Sequence, residues 1–189
     1  MIYDDVEPQI KTGDVILFRH SRTLFARVIR WWTQSPYSHA GVALRIKVNG
    51  HDRVVIIEAM EPGGVRVLPL RFVLDKDKKS GCVADWFQIN DPAINREKVA
   101  SFCLDRWGDR YASLWQFIWS FGYVSARFRK RYSLPAAVSP DRFFCSQLVA
   151  AALESAGYRP EDEWSDPAIT SPGQVALFGC LTRKGALEV

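Results

Sequence analysis

The chain predicts an α+β fold with a mostly antiparallel sheet, and three observations carry that reading. Asn49-Gly50 stands between two apolar runs that alternate, which is a strong two-residue hairpin signal. Further short apolar runs follow, bounded by Gly, Pro, Asn and Asp, with no regular strand–helix alternation of the kind a parallel sheet needs. Stretches with helical spacing or helix-end residues, among them 145–157 closed by Gly157, supply the α part.

Element by element, "TGDVILFRH" at 12–20 reads as a turn and a short strand. "SRTLFARVIRWWTQ" at 21–34 has helical spacing, with Leu24, Val28, Trp31 and Trp32 near one face. "SPYSHAGVALRIKV" breaks at Pro36, then alternates, and "DRVVIIEAM" is the returning strand of the hairpin. "EPGGVRVLPL" gives a turn and a strand, and "GCVADWFQI" gives another strand. "NREKVASFCLDRWG" is a helix stopped by Gly108. Residues 111–135 are aromatic and then basic. "CSQLVAAALESAG" is a helix with Gly157 just past its end, and "SPGQVALF" at 171–178 reads as a late turn and strand.

At 189 residues the chain is expected to form one domain, 1–189, with an aromatic and basic insertion at about 112–142. A chain of this size buries enough surface to fold without a metal or disulfide. Its four cysteines, Cys82, Cys103, Cys145 and Cys180, have no CxxC or CxxH spacing, so neither a zinc site nor a disulfide framework is expected. No metal and no cofactor are expected. The net charge of +4 suits an anionic surface or substrate better than nucleic acid, whose binding is not expected; the one dense basic run is "RFRKR". The first ten residues are acidic and lack the apolar core of a secretory signal, and no run of 18 uncharged apolar residues occurs, so a cytoplasmic location is expected.

The hairpin fixes a register. With Asn49 and Gly50 as the loop, Val48 pairs with His51 and Gly41 lies opposite Glu58. Side chains alternate with period two, so His39, Gly41 and Glu58 share a face, with His39 and Glu58 as diagonal neighbours. The small residues Gly41 and Ala43 next to His39 leave room for another element to approach the imidazole. A carboxylate behind an imidazole fixes its tautomer and supports its charged form. The matching nucleophile is Cys145, placed at the start of a helix whose free N–H groups and dipole favour a thiolate and can hold an oxyanion. Taken singly, Cys145, His39 and Glu58 can each be read as structural, as Cys82, Cys103, Cys180, His20 and His51 are, and residue types alone leave both readings open.

The blocks "GDVILFRH", "TQSPYSHAGVAL", "VVIIEAM", "WGDRY", "FFCSQLVAAAL" and "SPGQVALF", in that order, resemble the circularly permuted branch of the NlpC papain-like superfamily, closest in pattern to the YiiX-like group. In the unpermuted family the cysteine precedes the histidine strand, and the order here, His39, Glu58, Cys145, is what permutation implies. The resemblance implies a permuted papain-like fold, with helices on an antiparallel sheet and the nucleophile at a helix N-terminus. It makes Cys145 the nucleophile, His39 the base and Glu58 the residue that orients the imidazole. Tyr111 in "WGDRY" matches a family tyrosine that contacts the substrate or supports the oxyanion. Ala112 departs from the acidic residue that often follows that tyrosine, which bears on substrate identity.

The activity so implied is that of a thiol amidase or peptidase, cleaving an amide or peptide bond through a thioester. A lipid acyltransferase or lipase of the lecithin:retinol acyltransferase type is an alternative: it shares the permuted layout, and Trp115, Phe117, Ile118, Trp119 and Phe121 can line an acyl pocket, yet "FCSQ" departs from its motif. A non-catalytic binding module is a third reading. The partners expected are a peptide, amide or acyl-lipid substrate and an anionic membrane or cell-wall surface. The surface would be met by Arg127, Arg129, Lys130 and Arg131, which follow the aromatic run.

Overall fold

Sequence spacing of apolar residues builds two covered sheet faces. The protein, a computed structural model, describes residues 1–20, 23–111, 142–159, 167 and 170–189. Five strands come first in the sheet: β1 (Val15–Arg19), β2 (Tyr37–Val48), β3 (His51–Met60), β4 (Gly64–Pro69) and β5 (Val83–Ile89). Two short strands, β6 (Arg110–Tyr111) and β7 (Arg142–Phe143), pair with each other, and β8 (Leu181–Leu187) closes the order. The main sheet runs β4-β3-β2-β1-β5-β8, every neighbour antiparallel. The helices are α1 (Tyr3–Val6), α2 (Leu24–Thr33), α3 (Leu70–Lys79), α4 (Arg96–Leu104), α5 (Cys145–Ser155) and α6 (Pro172–Val175). A 3-10 turn, Glu7–Gln9, follows α1.

The hairpin register is as expected, Val48 opposite His51 and Gly41 opposite Glu58. Asn49 and Gly50 both take positive φ, 50° and 81°, the geometry of a tight primed turn. One sheet face buries Ala40, Val42 and Ile57 against Leu148, Val149 and Ala152 of α5 and Val99 of α4. The other buries Ile16, Ala43, Ile56 and Trp86 against Leu70, Val73 and Leu74 of α3 and Tyr3 of α1. Both faces are therefore core, and the space beside Gly41 is not open. A Cβ there would stand 2.6 Å from Ile56 Cδ1, so Ile56 occupies the place the sequence left for an approaching element.

Three elements differ from the sequence expectation. Residues 171–178 are not a strand: Ser171 caps Gln174 N at 3.2 Å, and Gln174 Oε1 takes Ser171 N at 2.7 Å. That reciprocal box, with Pro172 in the first turn, starts the short α6 instead. The last strand, β8, lies later and pairs with β5. On α2, Leu24, Val28 and Trp31 turn outward, Leu24 with 76% of its surface exposed, while Ala26 and Ile29 are buried. In α3, Leu70, Val73 and Leu74 form the inward stripe that the charged run "DKDKK" obscured. Among the described residues no helix is long and apolar enough to cross a membrane.

Candidate active site

His39 and Glu58 meet because a two-residue turn puts them one diagonal apart on facing strands. Their side chains are joined, His39 Nε2 to Glu58 Oε2 at 2.7 Å. Glu58 has no exposed surface, and a buried carboxylate needs every lone pair engaged. Its second oxygen accepts from Arg66 Nε at 3.0 Å and Nη2 at 2.7 Å. Arg66 sits on β4 directly opposite Glu58, so the sheet supplies the cation from the next strand. Arg66 Nη2 also reaches Met60 Sδ at 2.9 Å.

Sequence reasoning missed Arg66, although the signal was there. The turn 61–63 pairs Met60 with Gly64, and the same register carries Arg66 to Glu58.

The thiol reaches this pair from α5. Its cap residue, Phe144, has no side-chain acceptor for the first-turn N–H groups, while Gln147 Oε1 reaches back to Phe144 N at 3.3 Å. Ser146 Oγ donates to Thr170 O at 2.7 Å, tying the first turn down. Cys145 is 4% exposed, so it is a buried thiol, which the location at a helix mouth did not reveal. Its side chain acts on the His39 imidazole, whose Nε2 is taken by Glu58.

Burial alone would lower the His39 pKa. The charge and hydrogen bond of Cys145, joined by those of Glu58, outweigh burial and hold it at about 10. For Glu58 burial pushes upward, but His39 and then Arg66 pull its carboxyl down to about 2. Phe18 packs its ring at 5.3 Å from the imidazole, limiting its rotation.

Tyr111 arrives by a third route. At Gly64, φ is +69° and a Cβ would lie 2.0 Å from Asp109 O, so only glycine lets the "WGDRY" loop close onto β4. Val65 N donates to Asp109 O at 2.8 Å, and Gly108 N to Val65 O at 3.0 Å. The parallel pair β6–β7 then sets Tyr111 beside Phe143, two residues before Cys145. Its ring meets Phe144 edge-on at 5.8 Å. Burial, and next the charge of Cys145, push its phenol well above the usual range.

Of the other residues weighed, Cys82, Cys103 and Cys180 are pushed up to about 12 by burial. His20 holds Arg19 Nη1 at 2.7 Å, and His51 is exposed at the hairpin end. Two other buried carboxylates are structural. Asp14 takes Trp86 Nε1 and Arg96 Nη1, and Asp85 takes Arg19, Tyr37 and Arg183. Among the described residues no group of three or more His, Cys, Asp or Glu is placed to hold a metal ion. The aromatic run 115–121 and the basic run 127–131 lie outside the described residues.

A histidine strand followed far downstream by a cysteine at a helix N-terminus is the papain-like arrangement with its halves exchanged in order. Residues 9–165 match the family described as permuted papain-like amidase enzyme, YaeF/YiiX, C92 family. The chain belongs to that family. It is thus a hydrolytic enzyme of the permuted papain-like amidases, with a fold of that kind. A crystal structure of metalloprotein YiiX from Escherichia coli O157:H7 superposes with a TM-score of 0.63, covering 93% of this chain and 96% of that one at 22% identity. That likeness is one of fold. No curated protein matches the chain.

Proposed function

We propose that this amidase hydrolyses an amide or peptide bond through a thioester on Cys145, with His39 as acid and base and Glu58 as the residue that orients His39. The observation that supports it is an imidazole held at 2.7 Å by a fully buried carboxylate and raised in pKa by a thiol at a helix N-terminus. In this mechanism the proton is on His39 when sulfur attacks, as the thiolate. Sulfur adds to the carbonyl carbon, and the oxygen takes the charge beside the first-turn N–H groups of α5. His39 then gives its proton to the leaving nitrogen as the C–N bond breaks. A water next loses a proton to neutral His39 and attacks the thioester, the C–S bond breaks, and the imidazolium–thiolate pair returns. Arg66 keeps Glu58 ionised and fixed throughout, so the carboxylate positions the ring and does not itself take the proton. Tyr111, beside Cys145, is positioned to contact the substrate.

The related YiiX is a metalloprotein, but the described donors around Glu58 do not fit a metal. Both Glu58 oxygens are engaged by His39 and Arg66, and His39 Nε2 by Glu58. No step is therefore routed through an ion. Residues 1–189 act as one domain in this reading: β8 pairs with β5, and Ile2 bridges to Glu188, so both ends of the chain belong to the same body.

The deciding experiment is acid quench of the enzyme during turnover of N-acyl amides, followed by peptide mass spectrometry. An acyl mass on Cys145, lost in Cys145→Ala together with turnover, is expected. Turnover retained by Cys145→Ala sinks the proposal.

A further inference from the structure

Helix α2 carries an apolar face that the fold leaves at the surface. Leu24, Val28 and Trp31 lie along one side of it at helical spacing, with 76%, 45% and 70% of their surfaces exposed. Ala26 and Ile29, on the other side, are buried and hold α2 against β2. Single exposed apolar residues such as Trp107 and Leu177 are ordinary, whereas three in register on one helix make a patch.

The charges on that helix have one sign. Arg27 stands within a turn of both Leu24 and Trp31, Arg30 follows one turn on, and α2 contains no acidic residue. Among the described residues neither arginine has an ion-pair partner. The inner side of the same helix borders the site. Ala26 and the cap residue Thr23 line a cleft of about 470 Å³ that also takes in His39 and Tyr111. The cleft's own charges cancel, His39 and Lys76 against Glu61 and Asp77, so Arg27 and Arg30 set the sign of the surface beside it.

We infer that α2 docks the enzyme on an anionic lipid surface, with Leu24, Val28 and Trp31 entering the interface and Arg27 and Arg30 meeting the headgroups. Tryptophan favours the headgroup level, and arginine reaches it along an apolar stem. A helix with one apolar side and cations beside it lies in the interface and does not cross. The cleft then stands next to the lipid. A second copy of the chain fits this face less well, because two such helices would set arginines against arginines with no carboxylate from either. The inference does not depend on Cys145 as nucleophile.

The test is flotation of the whole chain with phosphatidylcholine vesicles, with or without phosphatidylserine, at low and high salt. At low salt wild type should bind the anionic vesicles at least about 25-fold more tightly than the neutral ones, at about fivefold for each arginine. Added salt should shrink that preference, and Arg27→Gln with Arg30→Gln should cut it by about the same 25-fold. Leu24→Gln, Val28→Gln and Trp31→Gln together should weaken anionic binding by about tenfold or more. They should leave Tm unchanged, since the positions are exposed and glutamine is a good helix former. Trp107→Gln with Leu177→Gln, as exposed but off α2, should bind like wild type. A wild type that does not float, or floats equally on neutral vesicles, overturns the inference. So does binding that the α2 substitutions leave intact, or an equal loss in the Trp107 and Leu177 variant. A lowered Tm in the Leu24, Val28 and Trp31 variant would mean that the stripe packs within the chain. A wild-type dimer that the same variant dissolves would make a second copy the occupant. Either result also overturns it.

Discussion

Replacing Glu58 by glutamine tests the site at its most buried atom. The substitution keeps shape and removes one charge from a side chain with no exposed surface. A glutamine has one acceptor and one donor end. Arg66 offers only donors, 3.0 and 2.7 Å away, and claims the carbonyl. The amide NH2 then faces His39 Nε2, which can accept only when that nitrogen carries no proton. The charged imidazole thus loses its charge-assisted bond, worth about 1.5–3 kcal/mol. At 1.36 kcal/mol per pH unit, the His39 pKa should fall by about 1–2 units from about 10.

The alkaline limb of turnover, or of iodoacetamide capture of Cys145, should move down by that amount. Turnover near neutral pH should drop roughly 10- to 100-fold, since each 1.36 kcal/mol is tenfold in rate. Stability should follow the same pair. His39, raised from 6.5 to about 10, contributes fully below 6.5 and loses its contribution as pH climbs to about 10. Glu58, lowered from 4.5 to about 2, contributes fully above 4.5 and loses its contribution as pH falls to about 2. The excess of wild type over Glu58→Gln in Tm should be widest between those two ranges. An alkaline limb that stays in place in a folded Glu58→Gln protein would refute the linkage between Glu58 and His39 charge.

Limiting iodoacetamide should modify Cys145 well before Cys82, Cys103 or Cys180, whose thiols burial holds near 12; equal labelling by peptide mass counts against a catalytic thiol. His39→Ala should abolish both that selectivity and turnover, and a protein that keeps either one has another base. Arg66→Met leaves Glu58 with one partner and should lower Tm by about 4–8 °C, taking about 2 kcal/mol for the lost charged bonds and 2–4 °C per kcal/mol for a chain of this size. Gly64→Ala, which needs a Cβ 2.0 Å from Asp109 O, should displace Tyr111 and cost more turnover than Gly50→Ala, where nothing lies within 4 Å. Replacing Arg127, Arg129, Lys130 and Arg131 by Ser should weaken low-salt co-sedimentation with anionic vesicles; equal pelleting removes that run from membrane recruitment.

The part of the site legible in sequence is the part built by local rules. Asn49-Gly50 dictates a turn type, the turn dictates a register, and the register places His39 beside Glu58 without any long-range information. Cys145 was legible as a helix start because apolar spacing and Gly157 bracket α5. What remained hidden depends on packing. The burial of Cys145 follows from how α5 lies on the sheet, and Ile56 filling the space at Gly41 is a side-chain conformation that no pattern encodes. The outward turn of Leu24 and Trp31 breaks the rule that an apolar stripe faces the core, and α6 hid because four residues are too few for a period. Arg66 was within reach of the same register argument, one hairpin further on.

Permutation divides the site's assembly into two kinds of contact. His39 and Glu58 are 19 residues apart in sequence and are joined by one hairpin, so their pairing closes a short loop. Cys145 lies more than a hundred residues from His39 and reaches it only after α5 has docked on β2 and β3. Beside that apolar face, a narrower set of contacts fixes the segment next to it. Gly64 admits Asp109, the loop turns at Gly108, and Tyr111 pairs with Phe143. His39 and Glu58 therefore come together with the sheet, whereas Cys145 is added by the docking of a separate helix on β2, β3 and α4. Damage at Gly64 should thus act on Cys145 and Tyr111 while the His39–Glu58 bond survives, and damage at Arg66 should act on Glu58 while α5 stays docked. The two classes of variant separate the His39–Glu58 half of the site from its Cys145 half.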